Sequence, residues 1–182
     1  PQPRNEVVAS ARLPLTVSRD GQALAALNHA GNIVFLNLAT GQQQWKTDTS
    51  GSAQGVALHE GHVLVGGHYE YIEGPLTANG CGDAGNPNPF GDCLHVPRLA
   101  AVEPVSGDIV MEGAEPWNPG ICCKYNGVWA VLTHADGERV SIGGEFTKVG
   151  GTWSFVNGAW RLTGFQPQNY FGQLPPPPNP SL

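Results

Sequence analysis

The chain has 182 residues, enough for one packed domain, with 25 Gly, 16 Pro, 13 % charged residues and a formal net charge of −6. Its Lys and Arg residues are isolated, which excludes a phosphate-binding basic patch and so nucleic acid, and no apolar run reaches the ~18 residues of a spanning helix, which excludes membrane insertion of that kind. Gly and Pro punctuate turns and are poor in helices, and 40 % hydrophobic residues are too many for a disordered chain, so composition points to an all-β protein of short strands.

The chain opens Pro1-Gln2-Pro3-Arg4, without Met or an apolar leader, and reads as a mature or trimmed product. The first strand signals lie around Asp20-Gly21 and Ala30-Gly31, pairs suited to hairpin turns because Gly tolerates positive φ. Ile33-Val34-Phe35-Leu36-Asn37-Leu38-Ala39-Thr40-Gly41 begins a pattern that returns at Leu99 through Gly107. Gly55-Val56-Ala57-Leu58 follows, then a turn at Glu60-Gly61, then His62-Val63-Leu64-Val65-Gly66-Gly67-His68-Tyr69. The same order recurs as Gly127-Val128-Trp129-Ala130-Val131-Leu132, a turn at Asp136-Gly137, and Arg139-Val140-Ser141-Ile142-Gly143-Gly144-Glu145-Phe146.

Trp45 stands ten residues before Gly55 and Trp117 ten before Gly127, so both landmarks repeat at an offset of 72. After each Gly-Gly pair, Arg98-Leu99-Ala100-Ala101-Val102-Glu103-Pro104 is matched to Arg161-Leu162-Thr163-Gly164-Phe165-Gln166-Pro167. Residues 75–97 are then extra in the middle copy. Every apolar piece is short and bounded by turn residues, and no stretch combines an N-cap with a 3.6-residue period. Antiparallel four-stranded meanders repeated radially, as β-propeller blades, are the simplest way for such units to cover one another. Residues 1–168 are read as about three to four blades of an incomplete or fragmentary propeller. Residues 169–182, with Pro175-Pro176-Pro177-Pro178, are read as a proline-rich tail or linker leading to a further domain.

Cys81 and Cys93 flank a loop of Gly, Asn, Asp and Pro with little apolar surface of its own, where a cross-link would supply order. Their eleven-residue separation does not match paired zinc-ligand spacing, so a Cys81–Cys93 disulfide at the rim, and with it an oxidising extracellular location, is expected. Adjacent Cys122 and Cys123 allow a vicinal disulfide, pairing elsewhere or a free thiol.

The remaining candidates carry weak signals. Gly66-Gly67 and Gly143-Gly144 lack the Gly-Lys-Ser/Thr of a phosphate loop and read as close strand packing. Trp45 and Trp117 recur at one repeat position and read as core, whereas Trp153 and Trp160 lie off the repeat and are candidates for ligand contact. Among six His, the His68–Glu70 pair on one strand face is the best metal or ligand candidate, with an ordinary surface role as its alternative. No Gly-x-Ser-x-Gly elbow marks a hydrolase. No catalytic residue and no cofactor are expected, and nothing in the sequence supports calcium.

These residues resemble the secreted β-propeller repeats of actinobacterial extracellular proteins, known as delta-sixty-type repeats. Gly143-Gly144-Glu145-Phe146-Thr147-Lys148-Val149-Gly150-Gly151, Arg98-Leu99-Ala100-Ala101 through Gly107, and Trp117-Asn118-Pro119 carry the resemblance over residues 20–168. It implies a non-enzymatic extracellular scaffold or binding module of a larger secreted or cell-surface protein, with a protein or carbohydrate ligand or further blades as partners. A second resemblance rests on Cys122-Cys123 and Ala39-Thr40-Gly41-Gln42-Gln43-Gln44-Trp45, which are similar to the vicinal pair and a blade motif of quinoprotein alcohol dehydrogenases. It implies a fragment of a pyrroloquinoline quinone-dependent propeller enzyme.

Overall fold

The structure, a computed structural model, describes residues 15–18, 20–27, 32–59, 61–73, 93–123 and 127–178. Among them there is no helix; all regular structure is antiparallel β. Short runs of Val, Ile, Leu and Ala between turn residues form three main sheets in chain order. The first is a meander of β1 (Leu15–Val17), β2 (Ala23–Leu27), β3 (Ile33–Asn37) and β4 (Gln42–Thr47). The second pairs β5 (Ser52–His59), β6 (His62–His68) and β9 (Leu99–Val102), and carries between β6 and β9 a small ladder of β7 (Tyr71–Glu73) with β8 (Cys93–His95). A hairpin of β10 (Met111–Glu112) and β11 (Glu115–Pro116) follows it.

The third sheet pairs β12 (Gly127–Thr133), β13 (Val140–Glu145) and β18 (Phe171–Leu174). Between β13 and β18 lie the ladder of β14 (Lys148–Val149) with β17 (Gln166–Pro167) and the hairpin of β15 (Thr152–Val156) with β16 (Ala159–Thr163).

The middle sheet is apolar on both faces, and the two-residue side-chain period sorts its residues between two cores. Val56, Val63, Val65, Ala100 and Val102 pack with Ala25, Leu27, Ile33, Phe35 and Trp45 of the first sheet. Ala57, Leu64, Leu99 and Ala101 pack with Val128, Val131, Val140, Ile142 and Leu174 of the third. Trp45 stacks on Phe35, with ring centroids 5.2 Å apart, and donates its indole N–H to Pro104 O at 2.7 Å, tying the first sheet to a turn of the second.

The ladders correct the repeat alignment. In both β5–β6 and β12–β13 one residue is bulged, Gln54 in the first and Trp129 in the second, so Gly55 corresponds to Ala130 and not to Gly127. The partner of β13 is Phe171–Leu174, as Leu99–Val102 is that of β6. Just before each of these strands a non-Gly residue adopts positive φ, Arg98 at 74° and Tyr170 at 66°. The Arg98 carbonyl accepts from the Gly67 amide at 2.9 Å, and the Tyr170 carbonyl from the Gly144 amide at 3.0 Å. Arg161-Leu162 is therefore not the counterpart of Arg98-Leu99; it lies in β16.

Two further corrections follow. The segment after Glu73 is not peculiar to the middle copy, because the third repeat carries its own excursion, β15–β16, at the same place. The folded part also does not stop at 168. Without β18, β13 would lack a partner on one side, and Leu174 is buried in the core, with Pro177 buried as well.

Candidate functional site

The β15–β16 hairpin turns at Asn157-Gly158, with φ of 51° and 78°, the two positive values a two-residue hairpin turn requires. Its register pairs Trp153 with Leu162 and Phe155 with Trp160, so one face of the hairpin gathers Trp153, Phe155, Trp160 and Leu162. That face reaches the second repeat at His95, the last residue of β8. Trp160 stacks on the His95 ring with centroids 3.9 Å apart and planes 3° off parallel, while Trp153 meets it edge-on at 5.1 Å and 82°. Tyr71, paired with His95 across the β7–β8 ladder, closes the other side at 5.2 Å and 67°. Two aromatic walls thus meet near a right angle, with His95 between them.

Burial holds the His95 imidazole at a pKa of about 4, so the ring is neutral at pH 7. His95 Nδ1 and the Trp153 indole nitrogen are both shielded from solvent without a hydrogen-bond partner. Each is a polar atom that folding has withdrawn from water without replacing its hydrogen bond.

Two cavities open on this cluster, and both are lined by His95, Trp153 and Trp160. One, of about 360 Å³, lies between the aromatic rings and the Cys122–Cys123 bond, with Glu70 and Arg98 also on its wall. The other, of about 240 Å³, lies towards β10–β11 and is lined by Glu112, Glu115 and Asn118. Asn118 donates its side-chain amide to the His95 carbonyl at 3.3 Å.

Cys122 and Cys123 are bonded to each other. The Cys122 and Lys148 backbones exchange hydrogen bonds at 3.1 and 3.2 Å, and the Thr147 hydroxyl donates to the Cys123 carbonyl at 2.9 Å. The pair is thereby fastened to β14 of the third repeat. Cys93 is itself disulfide-bonded; Cys81, its expected partner, and the loop to Asp92 lie outside the described residues.

Of the sequence candidates, Trp153, Trp160, Cys122, Cys123 and Glu70 come together around these two cavities. His68 is exposed and lines neither; burial and then the Arg98 charge keep its pKa below the usual value, with Glu70 opposing them. Among the described residues no group of three or more His, Cys, Asp or Glu is placed to hold a metal, so His68 and Glu70 gain no third donor. Sequence reasoning missed His95, Glu112 and Glu115. The Asn157-Gly158 turn flanked by aromatic residues was the signal that would have placed Trp153 and Trp160 on one hairpin face.

No protein-family model matches the sequence, and no curated protein does. Among solved structures, a functionally unknown protein from Desulfotomaculum acetoxidans is similar over 86 % of this chain and 56 % of its own, at 14 % identity and a TM-score of 0.34. The chain therefore spans about half the length of that structure.

Proposed function

We propose that the chain is a section of an extracellular β-propeller, its three main sheets being successive blades, and that it serves as a non-enzymatic binding module. The stacking of sheets through alternating faces of the middle one supports the blade reading. The observation that carries the binding reading is the aromatic corner of His95, Trp153 and Trp160, with its two adjoining cavities. Flat rings and polar side chains such as Asn118 and Glu70 around concave cavities select a ligand by shape and hydrogen bonding. Ser141 and His134 do share a hydrogen bond of 2.8 Å, but neither lines any of the cavities described above, so this pair offers no substrate position.

The quinone-dependent oxidoreductase is the second reading, favoured by the Cys122–Cys123 bond facing Trp153 and Trp160 across one cavity. Pyrroloquinoline quinone carries several carboxylates, and among the described residues Arg98, which lies in the field of Glu70, is the one cation lining that cavity. The fit is poor. Loading the chain with the quinone and calcium and assaying dye-linked alcohol oxidation separates the readings. The binding module gives no turnover, and its tryptophan fluorescence responds to ligand in the parent but not in Trp160→Ala. Quinone-dependent turnover overturns it.

A further inference from the structure

The smaller cavity has a chemistry of its own. β10 and β11 are joined by a two-residue turn that sets Glu112 directly opposite Glu115, both exposed. Like charges in this position repel, and no Lys or Arg among the described residues forms an ion pair with either. Both carboxylates line a cavity of about 240 Å³ whose other walls include Trp153 and Trp160, with no Lys or Arg among its described lining residues.

Trp160 gives one face to His95 and meets Phe155 edge-on at 5.4 Å. With Trp153 near a right angle to it, the two electron-rich indoles that line the cavity, beside the paired carboxylates, attract an organic cation with a bulky apolar surface. A metal ion would leave the indoles unused, and an anion would meet the two carboxylates. His95, stacked on one face of Trp160 and neutral at pH 7, adds no positive charge beside the cavity.

We propose that this cavity binds a small quaternary or methylated ammonium group, seated against Trp153 and Trp160 with its charge met by Glu112 and Glu115. The inference rests on the binding-module reading and narrows its ligand class. The ammonium contacts the indole rings through its methyl groups and needs no hydrogen-bond donor of its own.

The test is calorimetric titration of the purified chain at fixed ionic strength with choline and with its uncharged isostere, 3,3-dimethylbutan-1-ol. Choline is expected to bind saturably and about tenfold more tightly than the isostere. Glu112→Gln and Glu115→Gln are each expected to weaken choline about threefold and leave the isostere unchanged. Neither variant endangers the fold, since each removes a repulsion, and an unchanged or raised Tm verifies this. Phosphatidylcholine vesicles form a second arm: binding there that free choline competes away places the same cation on a lipid headgroup, and no binding places it on a free solute. Equal affinity for choline and the isostere, or glutamine variants that bind choline as the parent does, overturns the ammonium assignment. The binding module survives that result if 3,3-dimethylbutan-1-ol still quenches the fluorescence in a Trp160-dependent way, and falls with it if quinone-dependent turnover is found.

Discussion

The second and third sheets are built on one plan and differ in what covers them. In the second, Gly55, Ala57, Leu64, Gly66, Leu99 and Ala101 face the third sheet and are shut away from solvent. The corresponding positions of the third sheet are Ala130, Leu132, Ser141, Gly143, Phe171 and Gln173. Leu132 is 66 % exposed and Phe171 52 %. Ser141 instead is covered by its own sheet, hydrogen-bonded to His134 at 2.8 Å and to the Gln173 amide at 3.4 Å. A repeat thus sets where strands lie, while the side chains at each turn of the pattern decide whether a face becomes core or surface.

The largest test of that difference is a matched pair of truncations. Leu64 is fully buried between the sheets, so Leu64→Ala is expected to cost about 2–5 kcal/mol in denaturant unfolding, through lost burial and the cavity left behind. Leu132→Ala, three residues beyond the bulge on the open face, should change stability by less than about 0.5 kcal/mol. A large loss at Leu132 would mean that the outer face is covered in solution by another sheet or another chain.

A sharper pair uses the repeated glycines, both outside the positive-φ region. A Cβ on Gly66 would sit 2.5 Å from Val128 Cγ1, whereas one on Gly143 would meet nothing closer than 3.8 Å. Gly66→Ala is expected to destabilise by about 1–3 kcal/mol by forcing the second and third sheets apart. Gly143→Ala should be neutral or stabilise by about 0.5 kcal/mol, since Ala loses less chain entropy on folding. Equal effects at the two sites would show that the sheets do not stack as described.

Much of the fold was legible, because the two-residue period and the Gly-Gly landmarks identify strands wherever they fall. The misread register has a physical cause. Gln54 and Trp129 are bulged out of their ladders, and a bulge shifts the pairing without leaving any mark in composition. Arg161-Leu162 imitates Arg98-Leu99 in sequence, yet the strand that completes the third sheet, Phe171–Leu174, shares only its backbone role and its positive-φ entry with Leu99–Val102. The site was legible in its parts alone. Trp153 and Trp160 stood out by lying off the repeat, but their meeting with His95 joins two excursions from different repeats, and no local pattern encodes that contact.

The smallest effect sets the β7–β8 ladder against its counterpart β14–β17. The register that pairs Tyr71 with His95 pairs Lys148 with Pro167, so only the second repeat has a titratable ring at this place. His95 has a folded pKa of about 4 because burial disfavours its charged form, against about 6.5 for an unfolded histidine. Between those values the unfolded chain binds a proton that the folded chain refuses, so stability rises with pH through this window. The contribution is complete above about pH 6.5 and is lost progressively as pH falls towards 4. Discounted for the part of the ring that solvent reaches, it amounts to about 1 kcal/mol. His95→Phe keeps a ring against Trp160 but removes the titration, so the parent is expected to lose stability relative to this variant between pH 6.5 and 4 and to run parallel with it above 6.5. The difference cancels the other groups that titrate in the same range, including His68. Hydrogen exchange should show β8 amides losing protection in acid before those of β17. Parallel curves throughout, or an imidazole titration near 6.5 by NMR, would place His95 in water and remove the ring from the corner it shares with Trp153 and Trp160.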